Sequence, residues 1–394
     1  MVNLTTANNA LKTVYLDVLD NLLNVSTNPL FAQIKKTTQG VYGKEIKVLA
    51  PYGINGGISA TSETGELPQA SHNSYVNFVT DLKNLYGRIE ISDKAVRASQ
   101  NSAGAFVNLL NDEMEGLIKS SAFNLSRMIY GNGTGILSEI TDVSTDGKTL
   151  TVEDATKFIE GMIVDIMDGG TWVLAEGGAK HEIIGVDRIQ KKITFANAIT
   201  VEDLADGGFY LVNQNSYGNE LTGIDTFFTD TIANVYGLNK SMYPFMKGVT
   251  HNGVGALTEV AILEDIDKVE ENTGAKINFI SCSSAVRRQY QALLIAGNRN
   301  VPTIDLGNGF KALDFYGIPM VSDRFVRNNQ MYLLDTDSIT LHQMCDWEWM
   351  TDDSGNVLSQ KADRAVYSAT LVKYADMIVS RPNSICRLNG ITIA

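Results

Sequence analysis

Three aspartates stand close together in the stretch YGIPMVSDRFVRNNQMYLLDTDSI: Asp323, Asp335 and Asp337. Carboxylate oxygens are what a hard divalent cation takes as ligands. In an extended strand residues i and i+2 point to the same side, so Asp335 and Asp337 could share one ion, as a metal-dependent transferase would require. The opposing reading places both in the turn after the apolar run MYLL, where an Asp side chain accepts from its own backbone two residues on. The turn is the better fit, because no His or Glu cluster stands nearby to complete a coordination shell.

Other chemical motifs are weaker. GNGTG, at 131–135, looks like a phosphate-cradling loop but follows a helical pattern instead of preceding one, so it meets the end of the helix dipole that repels anions. It is read as a glycine cap. His72, His181, His251 and His342 are isolated from one another and from every cysteine, which leaves zinc and a histidine base without support. No G-x-S-x-G elbow is present. Cys282, Cys345 and Cys386 are odd in number and far apart, fitting small core residues better than a disulfide framework. Trp347 and Trp349 in CDWEWM alternate as strand residues do, and packing or a subunit contact is favoured over a ligand platform. No catalytic, cofactor-binding or metal-ligating residue is assigned.

The elements that would position these residues follow from pattern. With 394 residues, 44% hydrophobic and 20% charged, the chain has the composition of an ordinary globular protein and the length for two or three folding units. Its net charge of −13 argues against a general grip on phosphate backbones. The N-terminus lacks a basic stretch followed by an apolar one, and no apolar run approaches bilayer length, so synthesis in the cytosol and no membrane contact are expected.

Residues 1–45 mix short helical patches (Ala10, Leu11, Val14, Tyr15, Val18, Leu19, Leu22, Leu23) with Asn and Thr breaks, as an arm would. IKVLA and the run from Tyr75 to Ser92 predict a long two-stranded hairpin with a polar, Gly-rich tip. Such a hairpin buries too little to stand alone. From Ser102 to Tyr130 apolar residues recur at spacings of three and four, predicting a long amphipathic helix. Short β-type runs over 141–213 predict an inserted small β-barrel. An α/β section follows, with a helix over 254–272, a strand at KINFISC, a Ser-capped helix at SSAVRRQYQALL, and further strands to the C-terminus.

The order of these parts resembles the major capsid protein of tailed double-stranded DNA phages, the Hong Kong 97-like capsid fold. LYGRIEISDKAVRAS leading into the helix, YGNGTGIL closing it, and FYGIPMVSDRFVRNNQMYLLD carry the likeness. It covers nearly the whole chain except 141–213. The resemblance implies an α+β shell fold with an N-terminal arm at 1–43 and an extended loop at 44–92. A peripheral domain with a spine helix would follow at 93–140, with the inserted barrel at 141–213. The peripheral domain would continue at 214–253, the axial domain would occupy 254–374, and 375–394 would return to the peripheral domain. It implies a structural protein, not an enzyme, that assembles as hexamers and pentamers into an icosahedral shell around packaged DNA enclosed without specific binding.

A scaffolding protein, a portal and a maturation protease are the implied partners, the virion is the implied location, and the host cytoplasm is where assembly is expected. Two departures matter. The loop tip, 54–74, contains no Lys, so no crosslink through it is expected, and the arm begins almost at Met1, which implies a separate or previously removed scaffold. An acidic wall also suits a container whose DNA must slide. An encapsulin-type nanocompartment shell protein is the alternative within the same fold.

Overall fold

The computed structural model describes residues 28–94, 103–202, 204, 207–297, 303–306, 311–352, 355–361 and 363–393, with the side chains of 103–112 outside that description. The apolar arm positions from Ala10 to Leu23 lie outside the described residues, as do the side chains of the first apolar positions of the long helix.

Alternation decides where the first long strands go. Glu45–Gly53 pairs antiparallel with Ser74–Asp81, and on this hairpin Ile46, Ala50 and Phe78 point inward and are buried. The expected return strand from Tyr75 to Ser92 is in fact two strands. In the first, even-numbered residues (Val76, Phe78, Thr80) face inward, and in the second, Lys83–Ser92, odd-numbered ones (Leu85, Ile89, Ile91) do. A strand has a period of two, so this change of phase requires a break. It falls at Leu82, whose N–H donates to the Lys44 carbonyl.

Beyond the break, Lys83–Ser92 joins a second sheet by pairing with ten residues of the long strand Val366–Val379. The other edge of Val366–Val379 takes Ile339–Trp349, and Lys35–Thr37 runs parallel to the latter as a strap. A short helix α1, Pro29–Gln33, precedes the strap, capped by Asn28. The long helix α2, Ala103–Ile129, lies on Lys83–Ser92. Gly87 sits where an added Cβ would meet Leu117 at 2.9 Å, so the absent side chain lets helix and sheet approach.

The section expected as a barrel closes on itself. His181–Asp187, Lys192–Phe195, Thr149–Val152, Ile136–Val143, Phe209–Asn213 and Ile163–Asp168 pair in that order, and the last pairs with the first. Its first strand starts at Ile136, earlier than the expected 141, because Leu137 and Ile140 belong to the barrel's own core.

A second mixed sheet runs Val249–Gly255, Cys386–Ile391, Gln330–Leu334, Phe279–Cys282, Ile318–Ser322, Lys311–Phe315, Thr303–Asp305. Helices α3 (Glu259–Thr273) and α4 (Ser284–Ala296) pack with it around a separate apolar cluster. Here the expected helix over 254–272 starts later. Val254 lies in a strand, Gly255 turns with φ of +68°, and Thr258 caps α3 by accepting from the Ala261 N–H.

Two expected boundaries also move. The limit at 374/375 falls inside the continuous strand Val366–Val379. The final strand, Cys386–Ile391, does not return to the sheet under α2. It sits inside the α/β sheet, parallel to Val249–Gly255, because Cys386, Leu388 and Ile391 complete that sheet's core.

Candidate assembly surfaces

The hairpin is anchored at one end only. Midway along its paired part Phe78 packs 5.2 Å from the Tyr236 ring, and where the pairing ends Tyr52 stacks on Phe245 at 5.7 Å. Tyr236, held at φ of +52°, donates its hydroxyl to the Met377 carbonyl and accepts from the Val379 N–H, which fixes it to the long strand. Next to it Asp376, fully buried, accepts from Thr80 Oγ1, from Thr222 N and Oγ1, and from the Met377 N–H. Burial raises the Asp376 pKa and these donors oppose it. The base is thereby tied to the body by buried, hydrogen-bonded groups.

Beyond Gly53 and Ser74 no strand pairing continues. The tip keeps an ordered turn through asparagines: Asn55 N–H donates to Asn73 Oδ1, and Gly57 N–H to Asn55 Oδ1. Its apolar side chains find no cover, with Ile54, Ile58 and Leu67 exposed by 92, 87 and 89%. On the hairpin's outer face Leu49, Tyr75 and Val79 are exposed as well. A row of uncovered apolar residues on a projecting element is the mark of a contact surface.

The strap is held by charge. Lys36 pairs with Asp346 at 3.0 Å, and Asp346 also binds the ammonium of Lys373, whose side chain is fully buried in the sheet. Burial works to raise Asp346, but Lys373 and Lys36 outweigh it and hold the carboxyl well below the usual range. Lys35 and Asp337, 2.7 Å apart, are mostly exposed and contribute little.

The aspartates of the D-x-D stretch are separated by the fold. Asp335 caps the turn Thr336–Ser338 by accepting from the Asp337 N–H, the turn arrangement that the sequence favours. Asp337 turns outward to Lys35, while Asp335 is buried and its pKa is raised by that burial. Asp323 lies at the opposite end of the neighbouring strand Phe279–Cys282, where it accepts from the Phe325 N–H. Burial pushes Asp323 up to about 6, against the Phe325 N–H and Tyr130. Among the described residues no group of three or more His, Cys, Asp or Glu is placed to hold a metal ion.

The remaining candidates are dispersed. His251 bonds Asp265, His342 the Gln39 carbonyl, and His181 the Gly177 carbonyl. Cys282 is buried, and burial pushes its thiol up to about 12. Trp347 and Trp349 are both buried, as packing requires. GNGTG terminates α2: Gly131 N–H donates to Met128 O, and Gly133 and Gly135 have φ of +80° and +83°. Sequence reasoning had no access to Asp376, Tyr236 or Lys373, whose partners are distant in the chain. A buried lysine within an apolar strand, LVKYADM, is the one signal that points to such a network.

A projecting hairpin, a long helix on a sheet, and a separate α/β unit with a barrel between them can be compared with solved structures. The chain superposes on a subunit of the cyanophage A-1(L) capsid with a TM-score of 0.54 over 94% of this chain and 92% of that one, at 13% identity. The chain has the capsid shell fold. Shell folds at lower similarity include the capsid of an empty GTA particle (TM-score 0.49, 12% identity, 93 and 91% covered). Another is the holo-SrpI encapsulin of Synechococcus elongatus (0.46, 9% identity, 93 and 89% covered). No protein-family model and no curated protein matches the sequence. Within the shell fold the described residues hold no helix long and apolar enough to cross a membrane.

Proposed function

We propose that the chain is the major subunit of an icosahedral phage capsid, a structural protein that closes a shell around packaged DNA. The observation that carries this reading is the hairpin, tied by buried groups at its base and bare at an apolar tip, on a chain with the shell fold. Fully burying a side chain such as Ile or Leu is worth about 1.5–3 kcal/mol. The tip offers three of them to a neighbour and none to its own core. Repeated around a ring, that contact makes assembly collective.

In this reading the sheet with α2 is the peripheral domain and the sheet with α3 and α4 the axial domain, whose turns meet about the symmetry axes. The barrel decorates the shell or touches an adjacent capsomer. Hexamers and pentamers, a scaffolding protein, a portal and a maturation protease belong to the same proposal, as do the virion as destination and the host cytoplasm as the place of assembly. The charge of −13 supports a wall that does not grip DNA. Negative-stain microscopy of the purified chain, with and without a co-expressed scaffold, tests it. Rings or closed shells are expected, and a chain that stays monomeric at high concentration under both conditions contradicts the proposal.

An encapsulin-type shell shares the fold. The barrel and the long arm favour a phage, and nucleic acid inside purified particles, as against a protein cargo, separates the two.

A further inference from the structure

The barrel meets the α/β sheet across a cavity of about 440 Å³. That volume lies within the range of small-ligand sites. Its barrel wall carries Lys157, Arg188 and Lys191, and its opposite wall, just before the strand Gln330–Leu334, carries Arg327. Glu153 and Asp154 are the two carboxylates present. The chain as a whole has 45 acidic residues against 32 basic ones, so four cations to two carboxylates reverses its overall balance.

Most carboxylates near these cations already have partners, and Glu153, which has none among the described residues, is exposed to solvent. Asp154 Oδ1 already accepts from the Thr156 N–H and Oγ1 at 2.9 and 2.6 Å. Behind Lys157 a smaller cavity contains Glu220 and Asp225. Glu220 is bound by Arg127 through two bonds, and Asp225 by Arg387 and Tyr332. Arg188 spends one donor on the Phe158 carbonyl. Among the described residues Lys157, Arg188, Lys191 and Arg327 form no ion pair. Burial lowers the Lys157 pKa; Asp154 opposes that and Arg327 adds to it. Arg188, Lys191 and Arg327 are exposed and Lys157 is half-buried, so an anion entering the cavity meets a lining of net positive charge.

We propose that this cavity binds a compact polyanion of phosphate type, held by Lys157, Arg188 and Lys191 from the barrel and Arg327 from the α/β unit. Contacts from both walls make the anion a clamp on the seam. The inference rests on the seam alone and stands whether or not the chain builds a shell. Nucleic acid offers the same phosphate chemistry, but a cavity of this volume suits a short phosphate chain better than a duplex.

Calorimetric titration of the full-length chain with inorganic tripolyphosphate at low ionic strength tests it, with a short DNA duplex as the second arm. Saturable binding at one site per chain is expected, weakened about tenfold or more by Lys157→Gln and separately by Arg327→Gln, since one charge-assisted contact is worth that much. Lys276→Gln, on the exposed surface away from the cavity, should leave affinity unchanged. Arg327 is exposed, so its variant remains informative if Lys157→Gln fails to fold. No saturable binding in the millimolar range would overturn the proposal. So would affinity unaffected by Arg327→Gln, or a duplex that competes as well as tripolyphosphate.

Discussion

The barrel and the hairpin are both excursions from the two main sheets, and they solve the same problem in opposite ways. The barrel closes six strands around its own core, in which Leu150, Val164, Ile166, Ile183 and Phe158 are wholly buried. The hairpin adds only the two-residue strand Val41–Tyr42 to its two strands, packs its paired part on Tyr236 and Phe245, and leaves Ile54, Ile58 and Leu67 bare at its tip. Closure satisfies the edges and the apolar face within one chain. An open ribbon with so little of its own to bury must find both elsewhere. One excursion is self-sufficient and the other depends on a partner surface, and on the proposed function that makes the hairpin the joint.

The strongest way to break this comparison is to remove the tip. Deleting residues 56–70 should leave a folded subunit, with a thermal midpoint within a few degrees of the parent, and abolish closed shells. Normal particles from that deletion, seen by microscopy, would end the joint reading. Next in size are core truncations. Phe158→Ala in the barrel and Phe78→Ala in the paired part of the hairpin, both wholly buried, should each cost about 3–5 kcal/mol by denaturant titration. The two should differ in consequence: the barrel lesion is confined to the barrel, whereas loosening the hairpin also lowers assembly yield.

A smaller effect concerns the body that carries both. Asp323 has a folded pKa of about 6, above its unfolded value of about 3.9. A raised carboxyl contributes stability that is present below the unfolded pKa and is lost as pH rises through the folded one. Asp323→Asn should therefore stabilise the subunit by about 2–3 kcal/mol at pH 8 and by almost nothing at pH 3.5. Unfolding curves at the two pH values check it. Smallest for the isolated subunit are Ile58→Ser and Leu67→Ser, which should change its stability by no more than about 0.5 kcal/mol while slowing assembly followed by light scattering.

Much of the fold was legible because period and punctuation are local. The amphipathic run ending at GNGTG predicts α2, and Asp335 two residues before Asp337 predicts the turn that the structure shows. Even the break at Leu82 is written in the sequence, since Val76 and Phe78 are even-numbered while Leu85, Ile89 and Ile91 are odd. What pattern could not supply was pairing between distant segments. Nothing local says that Cys386–Ile391 lies parallel to Val249–Gly255, or that Lys35–Thr37 lies beside Ile339–Trp349. The same limit applies to the surfaces. The exposed tip follows from its composition, but Asp376 gathering Thr80 and Thr222, and Lys157 facing Arg327, arise only when the chain is folded.

The central claim is that the hairpin tip is completed by another copy of the chain. A cryo-electron-microscopy map of assembled particles tests that most directly. The account predicts that residues 54–73 lie across a neighbouring subunit with Ile54, Ile58 and Leu67 buried in the contact. Particles in which these three side chains remain in solvent, with shells closed by other surfaces, would contradict it.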